Sequence, residues 1–265
     1  PKVSVIVPAY NCENTILNTL DSILQQSFND FELIIVDNNS TDNTVKIINT
    51  INDKRIRLLF CTVKGPAAAR NYGIKKSQAD LIAFIDADDL WDQNKLEESI
   101  RYLNKFDFVY HDLLLYKKTK DNFLVKGKLK SRKMFVPIKK DLLGKGNGII
   151  TSSVVLKKHL IFKAGLFDEN INLFAAEDYD LWIRISEYTE KFRKIDKTYG
   201  KYLITGNNIT NNKRKYIYTK ELLKKYQKYL NKEFKKEILP WMSYNLLTSG
   251  YKSNIFENYF DNFLN

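Results

Sequence analysis

The chain reads as an α/β protein: a Rossmann-like, mostly parallel central sheet flanked by helices, followed by a C-terminal helical extension. Three observations predict this. Over the first 110 residues, short apolar runs alternate with stretches of helical apolar spacing, the βαβα order of a doubly wound sheet. Polar groups follow three of these runs, at Asn11, Asp37 and Asp86, and such sheets gather ligands outside the carboxyl ends of their strands. From Tyr216 onward the chain turns helical, basic and aromatic.

Taken in order, Val3–Pro8 is a strand, and Ile16, Leu17, Leu20, Ile23 and Leu24 recur at helical spacing. Glu32–Val36 is a strand ending at Asp37, and Ser40 or Thr41 is placed to cap a helix carrying Val45, Ile47, Ile48 and Ile51. Ile56–Phe60 is a strand, and Pro66 suits the first turn of a helix through Lys76. Leu81–Ile85 is a buried strand, followed by a helix through Leu96, Ile100 and Leu103 and a strand over Phe106–Tyr110. The pattern fails between Tyr116 and Gly148, a Lys- and Gly-rich stretch that reads as mostly loop. Ile149–Leu156 then reads as a strand, Glu177–Tyr188 as a helix, and Phe192–Asp196 and Tyr199–Thr205 as two strands. This divides the chain into a main unit, residues 1–212, with halves at 1–110 and 111–212, and an extension over 213–265.

The 265 residues carry a net charge of +12 and 44% hydrophobic residues, enough for a substantial core. The charge is uneven. Residues 1–100 hold 10 Lys and Arg against 14 Asp and Glu, so the basic surplus belongs to the remainder. Such asymmetry points to an anionic partner, such as a membrane surface or a lipid-linked phosphate, or else to a solvated Lys-rich surface. No nucleic-acid recognition motif accompanies it, and nucleic acid is not an expected partner. Cys12 and Cys61 match no metal or redox spacing. No apolar run reaches membrane-spanning length, and the chain opens on a strand with no leader. A cytoplasmic location follows, peripheral on the inner face of the cell membrane if the basic part binds lipid. Pro1 is not an initiator, so a preceding segment stays open.

Asp86-Ala87-Asp88-Asp89 closes the Leu81–Ile85 run. Two carboxylates about 4 Å apart repel by roughly 4 kcal/mol at an effective dielectric near 20. A hard cation such as Mn²⁺ or Mg²⁺ converts that repulsion into binding. The first strand-to-helix turn, Pro8-Ala9-Tyr10-Asn11-Cys12-Glu13, has no glycine. A dinucleotide fingerprint and a Walker phosphate loop are therefore absent. A phosphate-bearing ligand needs another counter-charge here, and a metal at the acid cluster with Arg70 would supply it.

Five motifs occur in order: Val5-Ile6-Val7-Pro8-Ala9-Tyr10-Asn11, Val36-Asp37-Asn38-Asn39-Ser40-Thr41-Asp42, Ala69-Arg70-Asn71-x-Gly73, Phe84-Ile85-Asp86-Ala87-Asp88-Asp89 and Glu177-Asp178-x-Asp180-Leu181-Trp182. Together with Gly165-Leu166-Phe167-Asp168-Glu169, they resemble the family 2 glycosyltransferases of GT-A fold, over about residues 1–205. The resemblance implies inverting, metal-dependent transfer of a sugar, most often from a UDP-sugar, to a glycan or lipid-linked glycan hydroxyl in bacterial surface polysaccharide or lipooligosaccharide synthesis. Residues 1–110 would then bind the nucleotide-sugar and 111–212 the acceptor. Pro8, Ala9, Tyr10, Asn11, Asp37, Arg70, Asp86 and Ala87 would hold the donor, with Asp37 accepting from the base. Asp88, with Asp86, would bind the metal. Asp178 would be the general base, and Trp91, Glu177 and Trp182 would meet the acceptor.

Asp178 in a first helical turn faces opposing influences. The helix dipole lowers a carboxylate pKa there, and burial raises it. Two departures from the family pattern stand out. Asn38-Asn39 replaces the Asp-Gly of many relatives, which leaves the base open. No His follows the last strands, so Asn207, Asn208 or water would complete the metal shell. A non-catalytic nucleotide-sugar or glycan-binding module on the same fold is the alternative reading. For the extension, the basic pairs at 213–215, 224–225 and 235–236 suit an anionic membrane, whereas its Tyr and Phe residues suit packing on the main unit or a dimer contact.

Overall fold

The computed structural model describes residues 1–118, 123–204, 212–234 and 239–248. Its centre is one nine-stranded mixed sheet. The strands are β1 (Val3–Ala9), β2 (Phe31–Asp37), β3 (Ile56–Phe60), β4 (Leu81–Phe84), β5 (Leu90–Trp91), β6 (Phe108–Lys118), β7 (Phe123–Leu129), β8 (Val155–Lys157) and β9 (Phe192–Ile204). Their order is β3-β2-β1-β4-β8-β6-β9-β5, with β7 paired to β6. The first four are parallel, β8 runs antiparallel between β4 and β6, and β9 lies parallel to β6.

The parallel half follows its sequence closely. β1 and β2 are buried along nearly their whole length, as strands covered by helices on both faces must be. Helices α1 (Ile16–Leu24), α2 (Thr44–Asn49), α3 (Pro66–Lys76) and α4 (Lys95–Leu103) cover them. Helix α3 packs closely because its inner face is Ala67, Ala68, Ala69 and Gly73. A Cβ on Gly73 would stand 2.9 Å from the Ile6 side chain, so only glycine fits. Ser40 and Thr41 do not cap α2: Asp42 accepts the Thr44 N–H at 3.0 Å, while Ser40 and Thr41 bond Asn11.

The second half departs from its sequence in three places. Tyr116–Gly148 is not mostly loop. β6 runs on to Lys118, β7 pairs with it antiparallel, and α5 spans Ile138–Lys145. β7 shows little burial, so it lacks the alternation that marks a half-buried strand, and its pairing alone defines it. Ile149–Leu156 divides into a 3-10 turn at Thr151–Ser153 and the short β8, with α6 (Lys158–Lys163) next. The two expected strands after Phe192 are one strand, β9, whose register against β6 shifts around Asp112. An irregularity of this kind breaks the period of two without ending the strand.

Helix α7 (Glu177–Ile185) packs on the inner strands of the sheet, where Trp182 meets Phe84 of β4 and Phe108 of β6. Helices α8 (Asn212–Phe234) and α9 (Pro240–Thr248) follow. α8 buries Leu222, Leu223, Tyr226 and Leu230 in the same core cluster as Trp182 and Phe84. Lys225 bonds Asp168 at 2.7 Å and Asp180 at 2.9 Å, so it faces the main unit while Lys224 stays exposed. Among the described residues no helix is long and apolar enough to cross a membrane. Asn207, Asn208, Lys235 and Lys236 lie outside the described residues.

Candidate active site

The site is organised by Arg70, in the second turn of α3. Its guanidinium is 5% exposed and spans two elements. One terminal nitrogen donates to Asp86 Oδ1 at 2.7 Å and the other to Glu177 Oε1 at 2.8 Å. The adjacent carboxylates hold its pKa above the usual range, despite burial. Arg70 thus joins the turn after β4 to the first residue of α7. Asn71 makes a second tie: its side chain donates to Phe167 O and Glu169 Oε1 and accepts from the Phe167 N–H, at 2.8–2.9 Å. Three widely separated motifs are thereby fastened through two consecutive residues.

Each tethered acid has a neighbour with no such cation. Asp88 is half-buried, and desolvation together with the Asp86 charge pushes its carboxyl up to about 6. Asp178 is also pushed up to about 6, by desolvation first and by the Glu177 charge second. Hydrogen bonds from Thr151 Oγ1 at 2.6 Å and the Tyr179 N–H at 2.6 Å oppose that rise. Burial therefore outweighs the favourable helix start for Asp178, and a carboxyl near 6 is a serviceable general base at neutral pH. Asp89 is 1% exposed, is displaced upward by burial and its acidic neighbours, and keeps one oxygen without a partner among the described residues.

Sequence reasoning missed Thr151 and Ser152. Thr151 reaches Asp178. Ser152 Oγ accepts the Asp86 N–H at 3.1 Å, and its carbonyl accepts Trp91 Nε1–H at 2.7 Å. The available signal was a run of three hydroxyl residues inside an otherwise apolar segment. Asn147 approaches Asp178 from the same side, at 3.4 Å. On the other side of Asp88 a cleft is lined by Asn14, Thr15, Asn18, Tyr116, Lys201 and Leu203. Lys201 was likewise unforeseen; its ammonium lies 5.1 Å from the Tyr116 ring centre.

The expected donor residues sit together at the ends of β1 and β2. Ala9 pairs with Asp37 across the two strands, and Tyr10 is exposed. Asp37 is buried and accepts the Ser40 N–H at 3.2 Å through one oxygen. Its other oxygen is buried with no partner among the described residues, which leaves one acceptor unsatisfied. Asn11, at a positive φ of 45°, spends its side-chain oxygen on the Thr41 N–H and acts as a strut between loops. Asn38 is a strut too. It donates to Cys61 O and Val63 O and accepts from the Gly65 N–H at 2.7–2.9 Å. The substitution in that motif is thus spent on fixing the entry to α3.

The acceptor assignments are corrected. Trp182 is fully buried between Phe84, Phe108 and Phe167, at ring separations of 4.9–6.3 Å, and offers no face to a sugar. Trp91 is 5% exposed, with the Lys95 ammonium 3.7 Å from its ring centre. Glu177 is tied to Arg70 through one oxygen, and its other oxygen is buried with no partner among the described residues. All three build walls.

The model of glycosyl transferase family 2 matches residues 4–161. The chain belongs to that family. A relative in Escherichia coli, the UDP-Glc:alpha-D-GlcNAc-diphosphoundecaprenol beta-1,3-glucosyltransferase WfaP, is 33% identical over 218 residues, covering 80% of this chain and 81% of its own. Against uncharacterized glycosyltransferases of Rickettsia bellii and Rickettsia felis, the chain spans only about a third of their length. Among solved structures, Staphylococcus aureus TarS in complex with UDP superposes with a TM-score of 0.66 at 20% identity, over 97% of this chain and 77% of that one. The Pyrobaculum calidifontis mannosyltransferase PcManGT in complex with GDP-Man and Mn²⁺ gives 0.60 at 18% identity, over 98% and 78%. These likenesses establish the GT-A fold, and the mixed sheet is its core.

Proposed function

We propose that this family 2 glycosyltransferase moves a sugar from a UDP-sugar to a hydroxyl of a lipid-linked glycan, with inversion, in bacterial polysaccharide synthesis. The observation that carries the reading is the Arg70 bridge, which ties Asp86 of the acid cluster to Glu177, the residue before Asp178, whose own carboxyl is pushed up to about 6. Asp37, through its unpartnered oxygen, accepts the uracil N–H beside Pro8, Ala9 and Tyr10. Asp178 takes the proton of the acceptor hydroxyl, held in place by Thr151. An inverting transfer needs one base on the face opposite the leaving group, and Glu177, neutralised by Arg70, does not compete for that role.

The residues at the acid cluster fit a divalent cation. Asp88 and Asp89 are both pushed toward protonation, by burial first and then by acidic neighbours, Asp86 for Asp88 and Asp88 with Asp86 for Asp89, and Asp89 keeps an unpartnered oxygen. Among the described residues no group of three or more His, Cys, Asp or Glu is arranged to hold a metal. Mg²⁺-like ions at phosphate sites take only one or two carboxylates, with substrate phosphates and water filling the shell. Asp88, with Asp86, would be the protein ligand. When bound, the ion supplies Lewis-acid stabilisation of the leaving diphosphate. WfaP, whose acceptor is named as a diphosphoundecaprenol-linked sugar, supports the acceptor class, and TarS with UDP supports the nucleotide.

Thermal melting with UDP, GDP, CDP and TDP, each with and without Mn²⁺, tests the donor. Ligand at about 100 times its dissociation constant stabilises by roughly 2.7 kcal/mol. A shift specific to UDP and dependent on Mn²⁺ is expected. A shift confined to another nucleotide would reject the UDP assignment, and no shift with any would favour a non-catalytic module.

A further inference from the structure

The densest charge in the chain is not in the C-terminal extension. Residues 113–148 contain 11 Lys and Arg against 2 Asp, whereas residues 213–265 contain 11 against 5. The first of these segments forms the β6–β7 ribbon, the following loop and α5. It also presents large apolar side chains to solvent: Leu124 and Val125 on β7 are 50% and 54% exposed, and Phe135 and Val136 in the loop are 56% and 70% exposed. Around Phe135 lysines and an apolar tip meet. Lys133 and Lys145 both lie over the Phe135 ring, 6.0 and 5.0 Å from its centre.

The acids within reach are already used. Asp141 is held by Arg132 and Lys145, and Glu187 and Glu233 by Lys139 and Lys140. Among the described residues, no carboxylate lies within ion-pair distance of Lys126, Lys128 or Lys133. Exposed apolar tips on a segment that also carries uncompensated lysines match an interface where aliphatic chains meet anionic headgroups. The surface also adjoins the catalytic base. Lys145 is two residues from Asn147, so their Cα atoms are at most about 7.6 Å apart, and Asn147 touches Asp178.

We propose that the 124–145 segment, with Lys126, Lys128, Lys133, Phe135 and Val136, is the surface by which this protein docks on an anionic lipid bilayer, bringing Asp178 to a membrane-borne acceptor. Its purpose rests on the transferase reading, but its test does not. The basic face of α8 is not the docking surface: its inner side is consumed by packing on the core, and its outer side carries no apolar tips beside the lysines. A bilayer is favoured over a nucleic-acid or protein partner because Phe135 and Val136 protrude beside the charges.

The test is co-sedimentation of the full chain, without donor or acceptor, with vesicles of equal parts phosphatidylglycerol and phosphatidylcholine, and with pure phosphatidylcholine. Binding should require the anionic lipid and weaken with salt. Each lysine at the surface contributes about fivefold in partitioning, so K126Q/K128Q/K133Q should lose about 100-fold. Phe135→Ser with Val136→Ser should weaken binding while leaving the salt dependence intact. K224Q/K228Q on α8 should bind like the wild type. Circular dichroism confirms folding; if the triple lysine variant misfolds, the Phe135 and Val136 pair, whose side chains are already in solvent, decides. Absence of lipid-dependent sedimentation overturns the proposal. So does loss confined to the α8 variant, or a dimer, seen by sedimentation velocity, that the Phe135 and Val136 changes dissolve while vesicle binding persists. Failure here leaves nucleotide binding untouched.

Discussion

The turn after β4 and the first turn of α7 each carry three acids, and in each a pair of them is treated alike. In each, one acid is bound to Arg70 and the other is not: Asp86 against Asp88, Glu177 against Asp178. The tethered acids position the elements. The carboxyls of the untethered ones are pushed up to about 6, by burial first and by their acidic neighbours second. A single buried cation therefore separates two tethered carboxylates, Asp86 and Glu177, from their untethered neighbours Asp88 and Asp178. The division comes from placement alone, since the residue types are nearly the same.

The sharpest way to break that comparison is to remove a reactive member. Asp178→Asn should lower turnover by about 10²–10⁴-fold while UDP binding, measured by calorimetry, is kept. Removing the divider acts on stability. Arg70→Met strands two buried or half-buried carboxylates, and breaking such pairs costs about 3–5 kcal/mol, to be read from urea denaturation. Asn38→Asp should cost about 1–3 kcal/mol, because a carboxylate cannot donate to the Cys61 and Val63 carbonyls.

The smallest effect is in pH dependence. The Asp178 carboxyl is raised from 3.8 to about 6 in the folded chain. Between these values the folded state binds more protons than the unfolded one, so this group's contribution to stability declines as pH rises through that window. In metal-free protein, Asp178→Asn should therefore raise the melting temperature at pH 7.5 relative to wild type, and that gain should vanish near pH 4. Transfer activity should fall below about pH 6 as the base becomes protonated. An unchanged difference between the two pH values would mean that Asp178 is not desolvated.

The two halves of the chain differ in how far they could be read in advance. The parallel half was legible because β1, β2 and β4 are largely buried and α1 and α4 each have one apolar stripe, so local pattern and fold agree. α3 was read to its ends from Pro66 and the residues after it. The second half depends on pairings between distant segments. β7 exists because β6 is beside it, and β9 reads as two strands because its register slips opposite Asp112. At the site, Asp86, Asp88, Arg70 and Asp178 were legible as motifs. That Arg70 bridges Asp86 and Glu177 was not, because the three are separated by up to 107 residues. Trp91 and Trp182 were misassigned because an aromatic beside an acid motif looks the same in sequence whether it faces ligand or core.

The most direct test of the account is calorimetric titration of UDP in the presence of Mn²⁺ into the wild type, Asp88→Asn and Asp178→Asn. The division of the acids predicts that Asp88→Asn loses metal-dependent UDP binding and that Asp178→Asn binds UDP like the wild type. Normal binding by Asp88→Asn, or equal loss in both variants, would contradict it.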